Sequence, residues 1–499
     1  MISKTLKDDQ RELTLLVRSR FPVLIVETPE EVRFMRLIEQ VCNLEDQPLF
    51  VWSVVNGIRR GNGTEPVAVS NDLSDALKHL HRSSQNGVYV LLDAHPYLDN
   101  PINQRLIREI AIDYQRVART LVFVGSDAKL PPELQRMSAT FRLSLPDAAE
   151  IRKIVNEEAT YWTHNNDGQK PTGEQLALEM LCQHLVGLTK DDARRLVRQC
   201  MEDDGAIDMD DVARVMRHKH ESLASGGVLT LVTDIARLTD VGGQAKLKKW
   251  LGQRRAAFVG EATTVKLDPP KGVLLLGVQG GGKSLAARAV AGSWAVPLLR
   301  LDIGALYNKF HGETERNLRE ALETAAAMAP SILWLDEIEK ALATGSSDTD
   351  GGVSRRVLGT LLTWMSDRRH RVFMVATAND ISRLPPELMR KGRFDEIFFV
   401  DLPTPAVRED IFRIHLAKRG FDAAAFDLAQ LAAATEGFAG AEIEQVIVSA
   451  MYEAHDTGAA LSAEHLVSEA HATRPLSVIR AEEIDQLRKW AANRTVMAD

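Results

Sequence analysis

Two hydrophobic patterns alternate along the chain. Short, nearly unbroken apolar runs recur at 23–26, 88–92, 121–124, 273–276, 332–335 and 372–376, each closed by turn or polar residues. Runs of that length read as strands buried on both faces rather than strands with one wet side. Between them lie longer stretches with helical spacing, such as the one after Ser284. The alternation predicts parallel α/β sheets with helices on both faces, and it does so in both halves of the chain. Roughly the last hundred residues lose the strand pattern and become Ala-rich and amphipathic, which predicts an all-helical segment.

The polar residues that close these runs carry the chemistry. The run Val273–Leu276 passes into Gly277-Val278-Gln279-Gly280-Gly281-Gly282-Lys283-Ser284-Leu285, in which Gly277, Gly282, Lys283 and Ser284 fit GxxxxGK[ST] between a strand and a helix. Glycines let the backbone wrap phosphates and turn N–H groups toward them at a helix N-terminus, which favours anions. Lys283 would then meet the β- and γ-phosphates of ATP and Ser284 would ligate Mg2+. A second run, Ile332–Leu335, ends in Asp336 and Glu337. Asp336 would hold the magnesium shell, and Glu337 would polarise a water for attack on the γ-phosphate. A third, Val372–Ala378, ends at Asn379, placed to orient that water; alone, such an Asn reads as a turn residue.

These motifs and their order resemble an ATPase module of the AAA clade of AAA+ proteins over residues 235–470. Asp240–Gly243 resembles the linker before that module, and Gly437-Phe438-Ala439-Gly440-Ala441-Glu442-Ile443 the start of the lid helix, which places Gly440 and Ala441 at the nucleotide. Arg390-Lys391-Gly392-Arg393-Phe394-Asp395 is similar to the signature in which both arginines act on a neighbouring subunit's nucleotide. The resemblance thus implies that Arg390 and Arg393 are arginine fingers and that the assembly is a ring, most simply a homo-hexamer; without it, each arginine reads as a surface salt-bridge residue. Lys309-Phe310-His311-Gly312 falls where such proteins carry a pore loop that grips polypeptide through an aromatic. Phe310 has a second reading as an interface or core aromatic, and His311 replaces the usual aliphatic neighbour. Val278-Gln279-Gly280 and the wording around it are similar to the chloroplast and cyanobacterial family called hypothetical reading frame forty-six.

The N-terminal half reads as a silent copy. Leu130-Pro131-Pro132-Glu133-Leu134 repeats Leu384–Leu388, and three other landmarks recur in the same order at offsets of roughly 240 to 254 residues. Its first strand, however, runs into Glu27-Thr28-Pro29-Glu30-Glu31, where carboxylates replace glycine and lysine and would repel phosphate. Asp93 occupies the position of Asp336 in this reading, with Ala94-His95 following in place of the catalytic Glu, and Arg136 has no second arginine. The expected fold is therefore an AAA+ phosphate-loop module with a helical lid, preceded by a degenerate AAA-like α/β domain. The expected domains are 1–222 (non-hydrolysing), 223–403 (linker and large ATPase subdomain) and 404–499 (lid and C-terminal helices), with 344–352 a polar loop facing the ring axis.

Composition narrows the partners. A chain of 499 residues with 45% hydrophobic residues buries a sizeable core, and a net charge of −8 gives nucleic acid no global attraction. Cys42, Cys182 and Cys200 are too few and too scattered for a disulfide framework or a zinc site, and read as small buried hydrophobes in a reducing compartment. The first residues lack a signal-peptide core and no run reaches the roughly 20 apolar residues of a membrane span, so a cytoplasmic or plastid-stromal setting is expected. The expected function is Mg2+-dependent ATP hydrolysis by a ring that remodels a protein substrate or complex. The rivals are an ATP-dependent assembly switch without threading and, less favoured, a nucleic-acid remodeller.

Overall fold

Apolar runs become parallel strands in both halves of the chain. A computed structural model describes residues 4–499 apart from 62, 64, 65, 69, 126–129, 224–226, 261–266, 307–312, 343–352, 368, 369 and 391. The described chain divides into two units, Met1–Met209 and Asp210–Asp499.

The first unit contains β1 (Val23–Glu27), β2 (Leu49–Ser53), β3 (Gly57–Arg60), β4 (Pro66–Ala68), β5 (Gly87–Leu92), β6 (Arg119–Gly125) and β7 (Ser138–Phe141). They form one sheet in the order β4-β3-β2-β5-β6-β1-β7. Two short strands, β8 (Thr172–Gly173) and β9 (Ala206–Ile207), pair among the helices that follow. The second unit contains β10 (Leu229–Val232), β11 (Gly272–Gly277), β12 (Leu298–Leu301), β13 (Ser331–Leu335), β14 (Val372–Ala378), β15 (Glu396–Val400) and β16 (Val496–Met497), ordered β10-β12-β13-β14-β11-β15-β16.

A shared topology is visible in these orders. Take β1, β2, β5, β6, β7 of one unit and β11 to β15 of the other, numbering each set as the chain makes it. Both read second, third, fourth, first, fifth, and every neighbouring pair within both sets is parallel. The degenerate α/β domain ahead of the ATPase module thus has the module's own sheet. Both faces of each sheet are covered, which explains the lack of alternation in the strands. Val23 and Ile25 pack on one side of β1 with Phe50, Trp52 and Tyr89, while Leu24 and Val26 pack on the other with Phe34 and Phe141. In β11, Leu274 and Leu276 face one core, and Val273 and Leu275 face a second that holds Phe258, Trp294 and Phe373.

Four helices, Pro405–Lys418, Leu428–Ala434, Gly440–Asp456 and Ala463–Ala472, bury Phe412, Leu431, Val446 and Leu466 in a core of their own. The chain does not stay in that helical layer to its end, as the segment 404–499 was expected to. Helix Ala481–Ala491 packs Leu487, Trp490 and Ala491 on the core beneath the ATPase sheet, and β16 then joins β15 through Phe398↔Val496 and Phe399↔Met497. An amphipathic stripe predicts a helix but not which core it faces. At the other boundary, helix Met209–Leu223 sends Leu223 into the second unit, where the Leu223 carbonyl accepts from Thr324 Oγ1 at 3.3 Å. All three cysteines are buried, and no described helix is long and apolar enough to cross a membrane.

Phe373 is fully buried among Trp250, Phe258 and Trp294, with ring centroids 4.6 to 6.3 Å away. Phe373→Ala is expected to destabilise the second unit by about 3–5 kcal/mol, read as an earlier second-unit transition in chemical denaturation with the first-unit transition unmoved.

Candidate functional site

β11 ends at Gly277, and the turn Val278–Gly282 delivers Lys283 as the first residue of helix Lys283–Trp294. The turn starts where backbone meets backbone. A Cβ on Gly277 would lie 2.0 Å from the Val400 carbonyl oxygen, and the Val278 N–H donates to that same oxygen at 3.1 Å. Gly280 and Gly282 have φ of 77° and 90°, the left-handed region where glycine carries no Cβ penalty. Lys283 is buried, and its Nζ donates to the carbonyls of Gly277 (2.9 Å) and Val278 (2.7 Å). Burial pushes its ammonium down to about 8, against the pull of Glu339, Asp336 and Glu337.

Facing the turn, β13 presents two carboxylates in different settings. Asp336 Oδ1 accepts from Ser284 Oγ (3.1 Å) and Thr377 Oγ1 (2.7 Å), while Arg300 stands 3.6 Å from Oδ2. Glu337 follows at φ 48°, a conformation uncommon for a non-glycine residue, which swings its side chain off the sheet edge. Its Oε1 accepts from Asn379 Nδ2 at 3.1 Å and its Oε2 pairs with Lys340 at 2.6 Å. Glu339 lies buried behind them, accepts the Asn379 N–H at 3.0 Å, and has its carboxyl pushed up chiefly by burial.

The lid closes the other side. Helix Gly440–Asp456 begins against the turn, with the Ala441 N–H donating to the Gly280 carbonyl at 3.2 Å. Turn, carboxylates and lid enclose a cavity of about 530 Å3, lined by Gln279–Leu285, Asp336, Glu337, Asn379, Gly440 and Ala441. Gly277 and Val278 do not line it; they shape the turn from behind. Arg390 and Arg393 do not reach it either: Arg390 is exposed, and Arg393 donates to the Leu362 carbonyl. Lys309, Phe310, His311 and Gly312, like the loop 344–352, lie outside the described residues.

Sequence reasoning missed Gln244, Thr377, His415 and Asp499, which also line the cavity. Thr377 had a signal, as the polar member of an otherwise apolar strand; its hydroxyl accepts the Glu337 N–H (2.9 Å) while donating to Asp336. Asp499 had none. It arrives because the Ala498 carbonyl accepts the N–H groups of Lys246 (2.9 Å) and Leu247 (3.1 Å) at the start of helix Ala245–Val259.

The corresponding place in the N-terminal unit corrects one sequence correspondence. Asp93 and Glu337 share φ 48°, and each N–H bonds to the penultimate residue of the next strand, Val124 O for Asp93 and Thr377 Oγ1 for Glu337. Asp93 therefore stands at the position of Glu337, and Leu92 at that of Asp336. Matching by residue type had aligned aspartate with aspartate, one position off.

Residues 273–402 match the family described as "ATPase family associated with various cellular activities (AAA)", and 425–467 match "AAA+ lid domain". Residues 9–143 and 149–226 match the N-terminal and second domains of "SpoVK-like AAA ATPase". The chain is 33% identical over 487 residues, 97% of its length and 96% of the relative's, to an uncharacterized AAA domain-containing protein ycf46 of Trieres chinensis. It is 32% identical to the ycf46 protein of Guillardia theta over 97% of the chain and 94% of that protein. A proteasome-activating nucleotidase of Aeropyrum pernix is 40% identical over 193 residues, 38% of the chain and 47% of that protein.

Gly277→Ala forces β11 and β15 apart at the mouth of the turn. The expected cost is about 1–3 kcal/mol, measured as a lower melting temperature of the second unit; an unchanged melt would show that the strands yield without strain.

Proposed function

The chain belongs to the family of ycf46 AAA domain-containing proteins and is an ATP hydrolase, and on that premise we propose that the cavity between phosphate turn and lid is its one hydrolytic site, working at the interfaces of a ring. The observation that carries this reading is Glu337, a carboxylate held at a strained φ beside the cavity with Asn379 on one oxygen and Lys340 on the other.

ATP entering the cavity replaces the two carbonyl partners of Lys283 with phosphate oxygens, and the added negative charge favours the ammonium that burial disfavours. Gly280, Gly281 and Gly282 supply backbone N–H groups at the helix N-terminus. Ser284 Oγ and Asp336 Oδ1, hard oxygen donors 3.1 Å apart, fit Mg2+, which commonly takes one or two protein oxygens and completes its shell from phosphate and water. Bound there, the ion would neutralise charge on the β- and γ-phosphates. Glu337 accepts the proton of the water that attacks the γ-phosphorus as the bond to the leaving oxygen breaks, and Asn379 keeps the carboxylate and water aligned. To act, Glu337 lets go of Lys340, its solvent-exposed tie.

The missing element is a cation on the transferred phosphoryl group. Arg390 and Arg393 lie away from their own cavity, which supports their acting on the cavity of the next copy, and hence a ring, most simply a hexamer. We place the use of the ATP cycle in remodelling a protein substrate or complex, with Phe310 as the gripping residue. Similarity to proteins named for activating a proteasome supports a protein-directed task. The N-terminal unit serves this engine as a partner platform that does not hydrolyse ATP.

Glu337→Gln is expected to lower ATP turnover at least about 100-fold while leaving equilibrium nucleotide binding within a few-fold of wild type; near-normal turnover in phosphate-release assays would remove Glu337 from its role. For action in trans, inactive Arg390→Ala and inactive Lys283→Ala proteins should regain ATPase activity when mixed, because the Lys283→Ala subunit lends its arginine to a neighbour's intact site. A mixture that stays silent while both variants co-assemble would overturn the ring mechanism.

A further inference from the structure

The N-terminal unit keeps the module's sheet but replaces its phosphate turn with something else. β1 ends at Glu27 and the next helix starts at Glu31, so the turn is residues 28–30, against 278–282 in the ATPase unit. Two residues shorter and without glycine, it has no backbone left to wrap a phosphate. What occupies the place is a side chain. Glu30 is 5% exposed, and its Oε1 accepts the backbone N–H of Lys190 at 2.9 Å. Lys190 is the first residue of helix Lys190–Asp204, capped by Thr189, just as Gly440 is the first residue of the lid helix Gly440–Asp456, preceded by Ala439.

The two contacts are counterparts. In the ATPase unit the lid helix meets the turn through the Ala441 N–H on the Gly280 carbonyl, next to an open cavity. In the N-terminal unit a carboxylate makes the contact to the helix N-terminus, and more charges brace it. Glu30 Oε2 pairs with Arg33 at 2.7 Å, Arg33 reaches the buried Asp9 at 3.3 Å, and Asp9 accepts from the Ser144 backbone N–H and hydroxyl. From the helix side, Lys190 Nζ binds Glu150 at 2.8 Å. A helix N-terminus favours an anion, and charge-assisted bonds among buried partners are stronger than neutral ones. Burial, and after it the charge of Asp93, push the Glu31 carboxyl up, so a further anion such as phosphate is disfavoured beside it.

We propose that Glu30 is a built-in substitute for the nucleotide phosphate, and that it holds the helical layer of the N-terminal unit on its α/β layer permanently, whatever nucleotide is present. In an ATPase unit the helical layer is free to answer the occupancy of the cavity. Here the ligand is part of the chain, and the unit becomes a platform of fixed shape. The proposal goes beyond the assignment of the hydrolytic site and stands or falls separately from it.

Hydrogen exchange of the full chain, followed by mass spectrometry, tests it. Amides of helix Lys190–Asp204 in the wild type should exchange equally with and without saturating Mg-ATP. Lys190→Pro removes the N–H that Glu30 binds at a helix position where proline is well accepted, and should speed exchange of that helix about 10-fold. Lys190→Ala keeps the N–H, loses only the ammonium, and should fall well short of that. Glu30→Gln keeps the shape and the acceptor while losing the charge, and should lie between wild type and Lys190→Pro; it also serves if the proline variant does not fold. Equal exchange in the Pro and Ala variants, or wild-type exchange in Glu30→Gln when proline yields no folded protein, would overturn the lock. So would a nucleotide-dependent change in this helix in a Lys283→Ala background. A failure of nucleotide to affect helix Gly440–Asp456 would speak against the hydrolytic site and leave the lock untouched.

Discussion

The ATPase unit depends on how closely β11 approaches β15 at its C-terminal end. Gly277 lets the Val400 carbonyl sit where a side chain would otherwise be, and that oxygen accepts the Val278 N–H that begins the turn. Everything downstream follows from this start. The turn rises off the strand, Lys283 is drawn back under it onto the carbonyls of Gly277 and Val278, and Ser284 comes to face Asp336. The lid then leans on the same turn through Gly280.

The two units show what a sheet retains when its chemistry is withdrawn. Strand order depends on the apolar faces, and those persist: Leu24 and Val26 in one unit, Leu274 and Leu276 in the other, pack in the same alternating fashion. The turn after the first strand is under no such constraint, since it meets the core only at its ends. In the N-terminal unit it is two residues shorter and acidic. The carboxylate then needed partners, because an unpaired buried charge is costly, and Arg33 and the Lys190 N–H provide them.

Much of this was legible in the sequence for definite reasons. The phosphate turn, Asp336, Glu337 and Asn379 could be read because local chemistry demands their residue types at strand ends. The repeat could be read because proline-rich turns and apolar runs leave unmistakable spacing. Three things could not. Asp93 was set one position off, because residue identity says nothing about where a strand leaves the sheet; the shared φ does. Helix Ala481–Ala491 was assigned to the lid, because its stripe of Leu487, Trp490 and Ala491 fits any apolar surface. Asp499 reaches the cavity because the Ala498 carbonyl accepts the backbone N–H groups of Lys246 and Leu247, bonds that leave no trace in residue type.

Those last bonds bear on how the protein is made. Beside them, Asp499 itself is tied to Ala245 and Lys246 across separations of 254 and 253 positions, and β16 is the edge on which β15 rests. Chains grow from the N-terminus and domains fold as units during synthesis. The sheet of the N-terminal unit is complete once Phe141 has emerged, so that sheet can settle early. The ATPase sheet and the wall of its cavity await residues 496–499. Long-range pairing of this kind is slow to form, and a ribosome-bound chain therefore carries a finished N-terminal sheet well before it carries a finished ATPase sheet.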